Sequence, residues 1–131
     1  MKITKNYVSG SHTNFSNKTI DVYDPSKGEV ISHVVSSGKD DFNHAIKSSK
    51  NAFQEWQNIT PLKRSRIISK FKSLIESNIE SLAKIVSEEH GKTIDDAKGS
   101  IIRGVEVVEF ATGIPHLLKG EFSQNVGTNI D

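Results

Sequence analysis

Residues 88–113 read EEHGKTIDDAKGSIIRGVEVVEFATG and bring carboxylates, a histidine, lysines and an arginine into one stretch. Paired carboxylates can divide general acid and general base work. Glu88 and Glu89 are adjacent, however, and neighbours in a helix do not share a face. Both also fall near a predicted helix C-terminus, where the dipole disfavours negative charge. They read as solvated surface groups. His90, beside Gly91, reads as part of a helix stop rather than a base or ligand. Asp95 and Asp96 occupy a predicted first turn, where carboxylates stabilise the helix. Together with His44 and His116 they show no recognised metal-ligand spacing. Arg103 is different. It lies between Gly99 and Gly104, with Glu106 three residues on. Two readings stay open: a surface ion pair with Glu106, or a fixed guanidinium fork for a carboxylate or phosphate.

The rest of the chain offers less. Lys63, Arg64, Arg66, Lys70 and Lys72 form the densest basic region, but they wrap around a predicted helix instead of making one stripe. Seventeen basic residues face sixteen acidic ones among 131. That balance gives no long-range attraction to nucleic acid or a membrane. With no cysteine, these residues hold no disulfide, zinc thiolate or cysteine nucleophile. Neither a GxGxxG fingerprint nor a GxxxxGK[ST] phosphate loop is present. The start, MKITKNYVSG, lacks the apolar core of a secretory leader, and no run approaches the length of a membrane-spanning helix. A cytoplasmic location is the expectation.

The elements that must position these groups are legible from turn and cap signals. Tyr7-Val8 and Thr19–Tyr23 are strand candidates. Pro25 and Gly28 suit a turn before a β-branched strand over Glu29–Val35, so 19–23 and 29–35 should pair as a hairpin. Ser37 with Asp40 has capping-box spacing for a first helix. Its stripe is Phe42, Ala45, Ile46, Ser49, Phe53 and Trp56, and Trp56 is expected to be buried. Thr60-Pro61 should open a second helix, ending near Glu76. Ser77 with Glu80 suggests the cap of a third, ending at Gly91. Thr93 with Asp96 should cap a fourth, from Ile94 to about Ala111, before Gly113 and Pro115. Gly99 and Gly104 inside it each cost about 1 kcal/mol against alanine, which points to a close neighbour. Residues 121–131 look extended. The fold class expected is α+β: an N-terminal β-hairpin with amphipathic helices.

Five segments in order, DPSKGEVISHV, AIKSSKNAFQEW, PLKRSRI, EEHGKTIDDAKG and VEFATGIPHLLKGE, resemble the beginning of aldehyde dehydrogenases. The general likeness covers about residues 19–113, and YVSG at 7–10 also fits. RGVEVVEFATGIPHLLKGE, residues 103–121, looks most like the CoA-acylating methylmalonate-semialdehyde group. The resemblance implies that residues 1–131 are an incomplete N-terminal portion of the NAD-binding domain of an α/β fold, with Asn125–Asp131 beginning an oligomerisation arm. It implies NAD as cofactor, CoA as cosubstrate, the remainder of the dehydrogenase as partner and a homo-oligomer as the assembly. The nucleophilic cysteine, oxyanion asparagine and general-base glutamate lie downstream in that family, so the chain alone is expected to be inactive. Arg103, in IIRGVE, matches an arginine that contacts the substrate carboxylate. The competing expectation is a noncatalytic helical interaction module derived from the same domain.

Overall fold

A computed structural model of the chain describes residues 1–121. Strands β1 (Lys2–Thr4), β2 (Asn6–Val8), β3 (Ser11–Thr13), β4 (Thr19–Asp24) and β5 (Glu29–Val35) precede five helices. These are α1 (Lys39–Trp56), α2 (Pro61–Ser77), α3 (Ile79–His90), α4 (Ile94–Thr112) and the short α5 (Ile114–Leu117). The expected extended segment falls at residues 122–131, outside the described part, except for Glu121.

The hairpin forms as expected. Asp24 builds its turn: the carboxylate accepts from the Ser26 amide at 2.8 Å, and its carbonyl accepts from the Gly28 amide at 2.8 Å. Gly28 takes a φ of 71°. Pairing runs antiparallel from Thr19↔Val35 to Asp24↔Glu29, with Ile31 as the extra residue of a β-bulge. The sequence gives no warning of β1, which adds parallel to the other edge of β5, so the sheet order is β1-β5-β4. Three residues with no flanking turn signal carry little periodicity. β2 and β3 make a separate small hairpin.

The helix boundaries are mostly set by local chemistry. Thr60 accepts from the Lys63 amide and Pro61 sits at N1; Thr93 accepts from the Asp96 amide at 3.3 Å. Two expected caps move by one residue. Gly38, not Ser37, is the N-cap of α1, and Asp41, not Asp40, reaches back to the Gly38 amide at 3.0 Å. The Ser37 hydroxyl instead donates to Asn6 Oδ1. Asn78 precedes α3, while the Ser77 hydroxyl donates back to the Ser73 carbonyl. Pro115 does not end helical structure; it lies in the first turn of α5.

Asp41 is the main polar link of the N-terminal half. It is 5% exposed and accepts from the amides of Phe15, Ser16 and Gly38 and from Asn6 Nδ2. One carboxylate thus ties β2, the 14–18 loop and the start of α1. These donors, the Phe15 amide first and Gly38 next, hold its pKa below the ordinary 3.8 against the opposing effect of burial. A depressed folded pKa stabilises the fold at pH values above 3.8, and that contribution is lost as pH falls through the lower folded value. Hydrogen-exchange protection of the Phe15 and Ser16 amides, corrected for intrinsic rates, should therefore hold above about pH 5 and decline in acid. Asp41→Asn should lower it at neutral pH and flatten the profile. An unchanged profile in that variant would remove Asp41 as the anchor.

The core of the described residues is small. Ala83 and Ala97 are fully buried, with Val35 and Val105 nearly so, where α3 and α4 pack together and the hairpin meets α3. Trp56 is not buried as expected: it remains 36% exposed, and Phe42, Phe53, Phe71 and Phe110 are more open still. The physical reason is placement. α1 is held mainly through β2, so its apolar stripe has no helix laid against most of it. Helical period identifies which face is apolar, not what covers it. The interior glycines show the same thing. A Cβ at Gly104 would meet nothing within 4 Å, and one at Gly99 only the Arg103 guanidinium at 3.9 Å. The close neighbour expected beside them is not among the described residues.

Candidate functional site

Thr93 starts α4, and the first three turns of that helix carry the site. Ala97 turns inward against α3. Asp96, Ser100 and Arg103 are spaced by four and three residues, which puts their side chains on neighbouring positions of one surface. Lys92, one residue before the cap, joins them. Its Nζ donates to Ser100 Oγ at 2.8 Å and pairs with Asp96 Oδ2 at 3.1 Å. Arg103 Nη2 donates to the same Ser100 Oγ at 3.1 Å. Ser100 in turn donates to the Asp96 carbonyl at 3.2 Å. Arg103 is exposed, and among the described residues it makes no ion pair with Glu106 or any other carboxylate. Its other donors have no acceptor among the described residues. The arrangement can receive a carboxylate in the planar, two-pronged manner a guanidinium favours.

The other sequence candidates are scattered. Glu88, Glu89 and His90 are exposed on the last turn of α3. Asp95 and Asp96 sit in the first turn of α4. Among the described residues no three histidine, aspartate or glutamate side chains gather as metal ligands. The basic cluster divides. Lys72 pairs with Glu109 at 3.1 Å and Glu76 at 3.5 Å, and its hydrogen bond to Glu109 raises its pKa. Arg64 turns toward a cleft of about 220 Å³ shared with Trp56, Ile68 and Ile114. Its buried Nε has no protein acceptor there. Lys98, not singled out in the sequence, pairs with Glu80 at 2.6 Å across α3 and α4, which raises its pKa.

Helix N-termini are the usual places for a dinucleotide pyrophosphate. Here three of them are occupied from within: α1 by the Asp41 carboxylate, α2 by Thr60 and α4 by Thr93. Sequence reasoning found Arg103 but missed Lys92 and Ser100. The Lys92–Ser100 contact is i,i+8 and bridges the cap, where helical spacing rules do not apply, whereas Ser100–Arg103 is an i,i+3 pair within α4 that helical spacing could have shown.

The model of the aldehyde dehydrogenase family matches residues 12–130. The malonate-semialdehyde dehydrogenase of Pseudomonas aeruginosa is 42% identical over 124 residues, 95% of this chain and 25% of that protein. The methylmalonate-semialdehyde dehydrogenase of Oceanimonas doudoroffii superposes with a TM-score of 0.92 at 36% identity, over 97% of this chain and 26% of that one. A Sinorhizobium meliloti protein described as a methylmalonate-semialdehyde dehydrogenase, crystallised with NAD, gives 0.92 at 40% identity, over 98% and 26%. The chain thus spans about a quarter of the length of the curated relatives it matches. Its strand-and-helix arrangement is that of the NAD-binding half of their fold. A family match over nearly the whole chain, with superposition at this level, means that the chain belongs to the aldehyde dehydrogenase family.

Proposed function

We propose that residues 1–131 form the N-terminal portion of the NAD-binding domain of an NAD-dependent, CoA-acylating semialdehyde dehydrogenase. Its substrate is an aldehyde that also carries a carboxylate, methylmalonate semialdehyde first. The full reaction takes the semialdehyde, CoA and NAD to propionyl-CoA, carbon dioxide or bicarbonate, and NADH. This chain contributes recognition: Arg103 binds the substrate carboxylate. The observation that carries the reading is an exposed arginine with no carboxylate partner among the described residues, in a chain similar to dehydrogenases of acidic semialdehydes. The nucleophile comes from outside these residues, which contain no cysteine. NAD and CoA are likewise held by the remainder of the fold, and Asn125–Asp131, which lie outside the described residues, begin the oligomerisation arm of a homo-oligomer.

The test is an assay of purified chain with methylmalonate semialdehyde, NAD and CoA, following NADH and acyl-CoA together. Neither product should form. Both should appear when residues 1–131 are fused to the remaining three quarters of the Pseudomonas aeruginosa relative. Turnover by the pure chain would overturn the division of labour. A folded, NAD-binding fusion with no preference for acidic aldehydes would overturn the substrate assignment.

A further inference from the structure

Ser100 has a hydroxyl with one proton to donate and two lone pairs to accept. All three are used: the proton goes to the Asp96 carbonyl, and the lone pairs take Lys92 Nζ and Arg103 Nη2. That occupancy leaves the hydroxyl one orientation. Lys92 is anchored at both ends. Its side chain is only 17% exposed and is paired with Asp96, while its carbonyl accepts from the Ser87 hydroxyl at 2.7 Å. The serine therefore stands on a fixed base, and the flexible group it restrains is Arg103.

The charge balance has a direction as well. Asp96 is the carboxylate nearest the cluster and is engaged by Lys92. Arg103 is left with a neutral partner, so its charge is positioned without being neutralised. The guanidinium lies back along the helix beside Gly99, 3.9 Å from where a Cβ would project. Long helical side chains lean this way, toward the N-terminus. A carboxylate at Ser100 would hold Arg103 equally well but would cancel the charge that an anionic substrate needs.

We propose that Ser100 is a positioning residue that sets the Arg103 guanidinium for an acidic aldehyde, with Lys92 fixing the serine from behind. This rests on the reading that Arg103 takes the substrate carboxylate.

Two measurements test it. In the 131-residue chain, NMR relaxation of the Arg103 Nε–Hε group reads its ordering directly. Ser100→Ala should make that group more mobile, and Ser100→Thr, which keeps the hydroxyl, should preserve its order. In the fusion enzyme, Ser100→Ala should raise KM for methylmalonate semialdehyde about five- to tenfold with kcat nearly unchanged. Propanal kinetics should not move, and Ser100→Thr should restore KM. If Arg103→Ala discriminates between the two aldehydes while Ser100→Ala does not, the positioning role is overturned and the carboxylate reading stands. If Arg103→Ala itself fails to discriminate, the carboxylate reading falls, and the positioning proposal with it.

Discussion

Gly91→Ala is expected to lower hydrogen-exchange protection at the α3–α4 junction by on the order of 100-fold. Gly91 ends α3 with a φ of 80° and donates its amide to the Ser87 carbonyl at 2.8 Å. Left-handed backbone costs a non-glycine residue about 1–2 kcal/mol. Space is the second obstacle. A Cβ there would stand 2.8 Å from Pro25 Cγ, inside van der Waals contact with a rigid ring. Overpacking of this kind adds about 1–3 kcal/mol. Pro25 belongs to the hairpin turn, so Gly91 is where the sheet rests on the helices. Gly28 provides the control. It has a φ of 71° but nothing within 4 Å of its Cβ position, so Gly28→Ala carries the backbone cost alone. The readout is exchange of the residue 91 and Ala97 amides. Adding Pro25→Ala to the Gly91 variant should recover part of the loss, as expected for residues in contact. Equal effects of the two glycine substitutions on their own turns would show that the Pro25 contact carries no energy.

Much of the fold was legible because its signals are local. Thr60 and Thr93 accept from amides three residues on, and Gly91 needs only its own backbone angle to stop a helix. The hairpin followed from a turn between two β-branched runs. What sequence concealed depends on distant partners. Asp41 outcompetes Asp40 because the amides of Phe15 and Ser16, more than twenty residues away, converge on it. β1 exists because β5 has an edge free to receive it. Trp56 illustrates the reverse case. The apolar stripe is real, yet among the described residues too little lies against it to bury the ring. The candidate site divides the same way. An arginine flanked by glycines could be picked out by eye, whereas its attachment through Ser100 to Lys92 required the path of the chain around Thr93.

Arg103→Ala, made in the fusion enzyme, is expected to reduce kcat/KM for methylmalonate semialdehyde about 30-fold and to leave propanal oxidation nearly unchanged. The figure corresponds to about 2 kcal/mol, the usual scale for a hydrogen bond to a charged group. The asymmetry between substrates carries the test, since a change that merely loosened α4 would slow both. Geometry supports a local effect: Arg103 is exposed and bonds only to Ser100 among the described residues, so truncation leaves no buried group unpaired. Arg103→Lys sharpens the test. Lysine keeps the charge but presents a point donor in place of a planar fork. If long-range attraction were all that mattered, lysine would restore activity toward the acidic aldehyde. If the two-pronged contact matters, Arg103→Lys should recover only part of it, with the remaining deficit confined to the carboxylate-bearing substrate. Equal losses for both aldehydes in a well-folded alanine variant would remove Arg103 from substrate recognition.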